Sequence, residues 1–94
     1  MSVFVVTWNL NKERGNYASA RAEFLKHLER YPNIGEPGLE SVRWIQSSAT
    51  AQQISDDLRT KLDDNDRIFV SKLASGTHAG WLNISTGEWI TPKV

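Results

Sequence analysis

The stretch that most constrains the fold of this chain is residues 2–11, SVFVVTWNLN. Its alternate residues point to opposite sides of an extended strand, with Phe4, Val6, Trp8 and Leu10 on one side and Val3, Val5, Thr7 and Asn9 on the other. Both sides are apolar as far as Val6, which is typical of a strand buried on both faces at the centre of a sheet. Ligands of open sheets gather at strand ends. The sequence therefore predicts a central strand, with any site at its polar C-terminal end.

Length and composition predict one domain, residues 1–94. A chain of this length buries only roughly 60–65% of its extended surface, so it gains stability from dimerising. Four Trp, three Phe and two Tyr are a large aromatic content for so small a core. These side chains either fill the core or belong in part to a subunit interface.

Charge and cysteine content narrow the possible classes of protein. The chain has no cysteine, which excludes disulfides and thiolate metal sites and is typical of a reducing cytosol. Eleven basic and eleven acidic residues cancel, whereas nucleic-acid-binding proteins usually carry a basic stripe. The apolar run near the N-terminus is too short for a signal peptide or a membrane span. We therefore expect a cytoplasmic protein without a membrane partner.

Hydrophobic periodicity predicts two helices. Residues 17–31 carry apolar side chains at steps of three and four, and Pro32 ends this helix. Thr50, with Gln53 three residues later, forms a capping box that opens a second helix over residues 51–62.

Strands are predicted at residues 39–48 and 66–75, with a loop at residues 33–38, NIGEPG. The first of these two strands is long enough to bend midway and serve as two. Beyond Gly76 the pattern is weak and indicates a short edge strand at 80–84 and one helical turn at 85–90.

This order of elements predicts an α+β fold, a ferredoxin-like βαββαβ sandwich with two helices on one face of an antiparallel sheet. The other sheet face would be open. We therefore expect a symmetric homodimer, joined through that face or through the C-terminal segment around Trp81 and Trp89.

Three segments together resemble a known group of proteins. Trp8-Asn9-Leu10 lies where that group typically has Tyr-Asp-Leu or Tyr-Asp-Ile, Ser41-Val42 and Trp44 match its middle strand, and residues 63–70 match its Asp-rich turn into an apolar strand. Over roughly residues 2–75 the chain resembles the small ferredoxin-like CRISPR-adaptation nucleases and the virulence-associated protein D toxins. It is still more similar to an uncharacterised bacterial branch labelled the SinR family.

The resemblance implies a homodimer that holds a divalent metal, Mg²⁺, between two first-strand aspartates and cleaves RNA or DNA. The corresponding catalytic position in this chain is Asn9. A neutral amide is a weaker ligand for Mg²⁺ than a carboxylate, so such a site loses most of what holds and activates the metal. The adaptation proteins also bridge DNA without cutting it, so binding can survive this replacement.

Other candidate residues each have a functional and a structural interpretation. The basic residues Lys12, Arg14, Arg43 and Lys72 form either a nucleic-acid-binding patch or ordinary solvated charge. Thr7, Asn9 and Asn11 form either a residual polar site or a strand end that leads into a turn. The carboxylates of Asp63, Asp64 and Asp66 lack the other ligands of a calcium loop, and a helix stop accounts for them, so no metal-ligating set is assigned.

Two histidines and two tryptophans complete the candidates. His78, in a loop rich in Gly, Ser and Thr, is either a general base or simply exposed, and His27, on the first helix, is predicted to be solvated. Trp44 and Trp81 either stack on bases or pack in the core or a dimer interface.

Two functions follow from the sequence. The favoured one is a non-catalytic dimeric module that binds nucleic acid or a protein partner in a bacterial defence or toxin–antitoxin-type system. The alternative is a metal-dependent endonuclease that uses Mg²⁺. A transcription regulator is not favoured, because no helix-turn-helix can be recognised in the chain.

Overall fold

The computed structural model describes residues 1–11 and 15–94. The strands are β1 (Ser2–Asn9), β2 (Asn33–Glu36), β3 (Leu39–Ser47) and β4 (Arg67–Lys72), and the helices are α1 (Tyr17–Leu28), α2 (Ala51–Arg59) and α3 (Ile84–Ile90), followed by a 3-10 turn at Thr91–Lys93. The strands form one antiparallel sheet in the order β2-β3-β1-β4. With α1 and α2 packed on one face, this is the predicted ferredoxin-like sandwich.

The central position of β1 is confirmed, because it pairs with β3 on one side and with β4 on the other. Its even-numbered side chains contact α1 and α2 in the main core, through Phe24, Leu28, Ile54 and Leu58 of the helices. Val3, on the opposite side, packs with Trp44 and Ile90 in a separate cluster. The side that carries the helices α1 and α2 is termed the helix face, and the opposite side the second face.

The prediction of a loop at residues 33–38 was wrong, since Asn33–Glu36 is the edge strand β2. It pairs with β3 through the tight turn at Pro37 and Gly38, with Ile34 opposite Trp44. A Cβ at position 35 would lie 3.0 Å from Nε of Arg43, so Gly35 allows this side chain to pack closely. The fourth strand therefore precedes residues 39–48, and β3 does not bend to serve as two.

The helices end earlier than predicted, although their start is as expected. α1 ends at Leu28, and the chain continues as a tight turn in which the N–H of Tyr31 donates to the Leu28 carbonyl at 3.1 Å. α2 ends at Arg59. Its capping box is confirmed, because Thr50 Oγ1 accepts from the Gln53 N–H at 3.1 Å and Gln53 Oε1 accepts from the Thr50 N–H at 2.9 Å.

The C-terminal segment lies on the second face. The edge strand predicted at residues 80–84 is absent from the described structure, whereas the predicted helical turn forms as α3. Ile90 packs on Val3 and Trp44, and the Thr86 hydroxyl donates to the Gly35 carbonyl at 3.2 Å. The second face is therefore covered in part by the chain's own helix. None of the described helices is long and apolar enough to span a membrane.

Candidate functional site

Asn9 lies where the sequence places it, at the C-terminal end of β1, and its side chain is exposed. The residue opposite it on β4 is Arg67. Arg67 Nη1 donates hydrogen bonds to the carbonyl oxygens of Asp64 at 2.9 Å and Asp66 at 2.8 Å. The direct cross-strand neighbour of the Asn9 amide is therefore a cationic residue anchored to the turn before β4.

Asp66 organises the turn between α2 and β4. Its side chain is buried, with 5% of the residue exposed. Oδ1 accepts from the Asn11 N–H at 2.8 Å, and Oδ2 accepts from the Asp63 N–H at 3.0 Å. The carboxylate thus joins the chain after β1 to the turn that follows α2. Within the described residues, no group of three or more His, Cys, Asp or Glu side chains is arranged to hold a metal ion.

The predicted basic patch is described only in part, because Lys12 and Arg14 lie outside the described residues. Arg43 lies on the helix side of β3 and donates to Asn33 Oδ1 at 2.9 Å and to Glu29 Oε2 at 3.4 Å. Lys72 is exposed on β4, and β1 lies between these two strands. The structure therefore does not bring Arg43 and Lys72 together, and the patch as a whole stays a prediction.

The second face carries an apolar groove of about 670 Å³ beside α3. Val5, Leu39 and Trp44 contribute from the sheet, and the other lining residues are Leu73 just after β4, residues 78–84, Gly87, Ile90 and Thr91. Trp44 is buried among Val3 and Ile90, in agreement with the core interpretation of this residue. The groove exists because α3 covers only one part of an apolar sheet surface.

Three large apolar residues at this groove are exposed. Trp81 is 97% exposed, Ile84 80% and Leu39 43%. Phe69, on the same side of the sheet in β4, is 65% exposed. Large apolar surfaces that are left open in this way mark sites of interaction. The exposure of Trp81 agrees with the interface and stacking interpretations and excludes packing in the core of this chain.

His78 also lines the groove. Its ring is exposed, and Nδ1 lies 3.2 Å from the Ala74 carbonyl oxygen, which can only accept a hydrogen bond. Nδ1 therefore carries the proton in this contact. The contact holds the ring against the chain and tests neither interpretation of His78, so both stay predictions.

A polar cluster between α1 and α2 was not predicted. Asp57 accepts hydrogen bonds from His27 Nε2 at 2.9 Å, from the Tyr31 hydroxyl at 2.6 Å and from Arg30 Nη2. The side chain of His27 is only 18% exposed, so the prediction of a solvated histidine was wrong. His27 lies in the last turn of α1, and Arg30 and Tyr31 follow it by three and four residues in the turn after the helix, which is the one signal in the sequence that points to this cluster.

The ionisation of this cluster follows from its contacts. Burial by itself would raise the pKa of Asp57, but the hydrogen bonds from Tyr31, His27 and Arg30 outweigh it and hold that pKa below its usual value. Burial and the hydrogen bond to Asp57 raise the pKa of Tyr31 to about 12. The carboxylate is charged, engaged on both oxygens and fastened between two helices, which is a structural arrangement.

Comparison with protein-family models, with curated proteins and with solved structures finds no match for this chain. The resemblance carried by the residues around Asn9 therefore stays a prediction.

Proposed function

We propose that this chain is a non-catalytic ferredoxin-like module that acts as a homodimer and binds a partner protein through the second face. The observation that carries the proposal is Trp81, 97% exposed at the rim of an apolar groove. The resemblance of the sequence supports a role of such a module in a bacterial defence or toxin–antitoxin-type system. The nuclease alternative is an outcome of the tests below.

The energetics of the groove support binding. Burying a large apolar side chain is worth about 1.5–3 kcal/mol. Trp81 and Ile84 are almost fully exposed beside an open apolar surface, so a partner that covers both gains several such contributions. Tryptophan is also among the residues that most often dominate binding energy at protein interfaces.

The charges near the groove favour a protein partner over a nucleic acid. Affinity for nucleic acids comes mainly from lysine and arginine side chains that neutralise phosphates. The described lining of the groove includes no lysine or arginine, and the chain as a whole is neutral. Arg43 is engaged by Glu29 and Asn33. A hydrophobic protein segment fits such a surface better than a phosphate backbone does.

The non-catalytic part of the proposal rests on Asn9. If the resemblance holds, this amide stands where a carboxylate would bind the metal. Its cross-strand neighbour is Arg67, whose positive charge disfavours a divalent cation at this point.

The binding test compares the wild type with Trp81→Ser in capture of proteins from a bacterial lysate, followed by titration with the purified captured protein. Lys26→Ser is the control, because Lys26 is exposed on α1, on the helix face, and does not line the groove. We expect Trp81→Ser to weaken binding by on the order of tenfold or more, and Lys26→Ser to leave it unchanged. Equal binding by all three proteins would refute the groove as the binding surface.

The nucleic-acid test uses fluorescently labelled single-stranded RNA and double-stranded DNA at physiological salt. We expect no saturable binding in the micromolar range and no cleavage with Mg²⁺ or Mn²⁺. Binding that falls steeply with salt would replace the protein partner by a nucleic acid. Metal-dependent cleavage that is lost in Asn9→Ala would establish the nuclease alternative.

A further inference from the structure

The strand β4 forms one edge of the sheet, next to β1. Its residues alternate between those whose backbone groups bond to β1 and those whose backbone groups point outward. The N–H of Leu73 donates to the Val3 carbonyl at 2.9 Å, so Val3 and Leu73 form a hydrogen-bonded pair. In an antiparallel ladder such pairs recur at every second residue, here at Ser71, Phe69 and Arg67. The backbone groups of Ile68, Val70 and Lys72 therefore point away from β1, along the open edge.

An open edge of this kind is a template for another strand. Arg67 and Lys72, one at each end of β4, are charges that discourage indiscriminate pairing. Between them lies Phe69, 65% exposed on the second face. An exposed aromatic ring at the middle of an open edge strand favours one specific partner strand in a fixed register.

We propose that β4 pairs with β4 of a second copy of this chain, antiparallel and centred on Phe69. This geometry rests on the homodimer of the proposed function. Ile68 of each copy then forms hydrogen-bonded pairs with Val70 of the other, using the backbone groups that point along the edge. Phe69 faces Phe69 of the second copy in a non-hydrogen-bonded pair, where Cα atoms lie about 4.5 Å apart.

The side chains select this register over the other two-fold registers that the backbone pairing allows. The nearest of these are centred on Val70 and on Ile68, and centring on Ile68 would place Phe69 opposite Arg67. Centring on Phe69 places Ile68 opposite Val70 and joins the two exposed rings, so apolar side chains meet apolar ones. Centring on Val70 would place Ile68 opposite Lys72 and Phe69 opposite Ser71. Only the first register covers the exposed ring of Phe69 with another aromatic ring.

Charge complementarity also favours a second copy. The selected register places Lys72 of the second copy opposite Asp66, beside a groove of about 750 Å³ between α2 and β4. Among the described residues that line this groove, four are carboxylates, Asp56, Asp63, Asp64 and Asp66, and two are guanidiniums, Arg59 and Arg67. A lysine brought to this end of the strand therefore comes to the groove that carries the exposed carboxylate of Asp64.

The resulting sheet has eight strands, and the second faces of both copies become continuous across the two-fold axis. The two apolar grooves then lie on the same side of the dimer, one in each copy. A partner protein with two binding segments can occupy both at once, which raises its overall affinity without any new contact.

Single cysteines test this register directly, because the chain has no cysteine of its own. A Cα separation of about 4.5 Å falls within the range of disulfides, so Phe69→Cys should form disulfide-linked dimers under mild oxidation. Ser71→Cys alone should not, because its two copies lie four residues out of register. An equimolar mixture of Arg67→Cys and Ser71→Cys should cross-link as a heterodimer. Trp81→Cys, at a position more exposed than Phe69, gives the rate of random collision.

The outcomes separate this interface from its alternatives. A mixture of Phe69→Cys and Ser71→Cys tests the register centred on Val70. If these two variants cross-link with each other faster than Phe69→Cys does with itself, the register centred on Phe69 is wrong. Cross-linking of Trp81→Cys faster than Phe69→Cys would overturn the β4 edge in favour of a dimer through the second face.

Sedimentation measures the same interface without cysteines. We expect Phe69→Lys to raise the dimer dissociation constant on the order of tenfold. An unchanged dissociation constant in this variant, or a monomeric wild type, would refute the proposal. Loss of partner binding in Trp81→Ser is measured separately, so the interface and the function fail independently.

Discussion

The Tyr31 hydroxyl donates a hydrogen bond of 2.6 Å to Oδ2 of Asp57, and this bond fastens the turn after α1 to the last turn of α2. A hydrogen bond to a charged group is stronger than one between neutral groups, and both oxygens of this carboxylate are engaged. The two helices that cover the helix face are thus joined by a polar contact as well as by the core.

Tyr31→Phe removes this hydrogen bond and leaves the ring in place. We expect the free energy of unfolding to fall by about 1–2 kcal/mol, because Asp57 keeps its bonds to His27 and Arg30. Urea denaturation monitored by tryptophan fluorescence measures the change. Tyr17→Phe is the matched control, since the Tyr17 hydroxyl makes no hydrogen bond with the described residues, and an equal loss in both variants would contradict this prediction.

The depressed pKa of Asp57 predicts a dependence of stability on pH. Because this pKa is lower in the folded than in the unfolded chain, the ionised carboxylate stabilises the fold above the unfolded value of about 3.9. That contribution is lost as the pH falls through the folded pKa. The stability difference between the wild type and Asp57→Asn should therefore be largest near neutral pH and shrink in acid. Urea titrations of both proteins from neutral to acidic pH check this, and a constant difference would contradict it.

Asp66→Ala should destabilise the fold by about 2–3 kcal/mol, because it removes the acceptor of two backbone N–H groups, those of Asn11 and Asp63. Asp64 lies in the same turn with an exposed side chain, so Asp64→Ala should change stability by less than about 0.5 kcal/mol. Thermal unfolding of the two variants compares a structural carboxylate with a solvated one. Similar melting temperatures would show that the buried contacts of Asp66 contribute little.

The sequence predicted the main layers of the fold because their signals are local. Both sides of β1 are apolar in the sequence, and each side packs in its own cluster in the structure. The capping box at Thr50 needs only two residues three positions apart. The apolar stripe of α1 is likewise a local signal, since it lies within one stretch of the sequence.

The sequence did not predict β2, because Gly35, Pro37 and Gly38 are the residues that normally mark loops. Gly35 is instead a packing position next to Arg43, and that contact is visible only once the strands are paired. The contact between Tyr31 and Asp57 was missed for a similar reason. It joins residues 26 positions apart through the crossing of two helices.

The sequence placed the candidate site at the end of β1, around the exposed Asn9, and that site stays a prediction. The groove proposed as the binding surface lies elsewhere. The apolar groove arises from residues of β1, β3 and the C-terminal segment together. No single stretch contains its pattern, so the sequence left both a packing and a base-stacking interpretation of Trp81 until the fold showed it exposed.

The last prediction concerns Asn9, because it distinguishes the two possible arrangements of a dimer. In the arrangement that the resemblance implies, two first-strand residues share one metal, so Asn9→Asp would restore two carboxylates at once. In a dimer joined at the β4 edges, β1 and its copy are separated by three strand spacings, about 14 Å, before the shift along the strands is counted. A carboxylate at position 9 would instead lie opposite Arg67 of its own chain.

We therefore expect Asn9→Asp to bind Mn²⁺ no more tightly than the wild type in calorimetry, and neither protein to cleave RNA or DNA. Asn9→Ser is the control for the loss of the amide without a new charge. Because position 9 is exposed, none of these variants should change stability by more than about 0.5 kcal/mol. A clear gain in Mn²⁺ affinity in Asn9→Asp, at one metal per dimer, would show that the two copies meet through the first strands. It would then favour the nuclease ancestry of this surface over the β4-edge dimer.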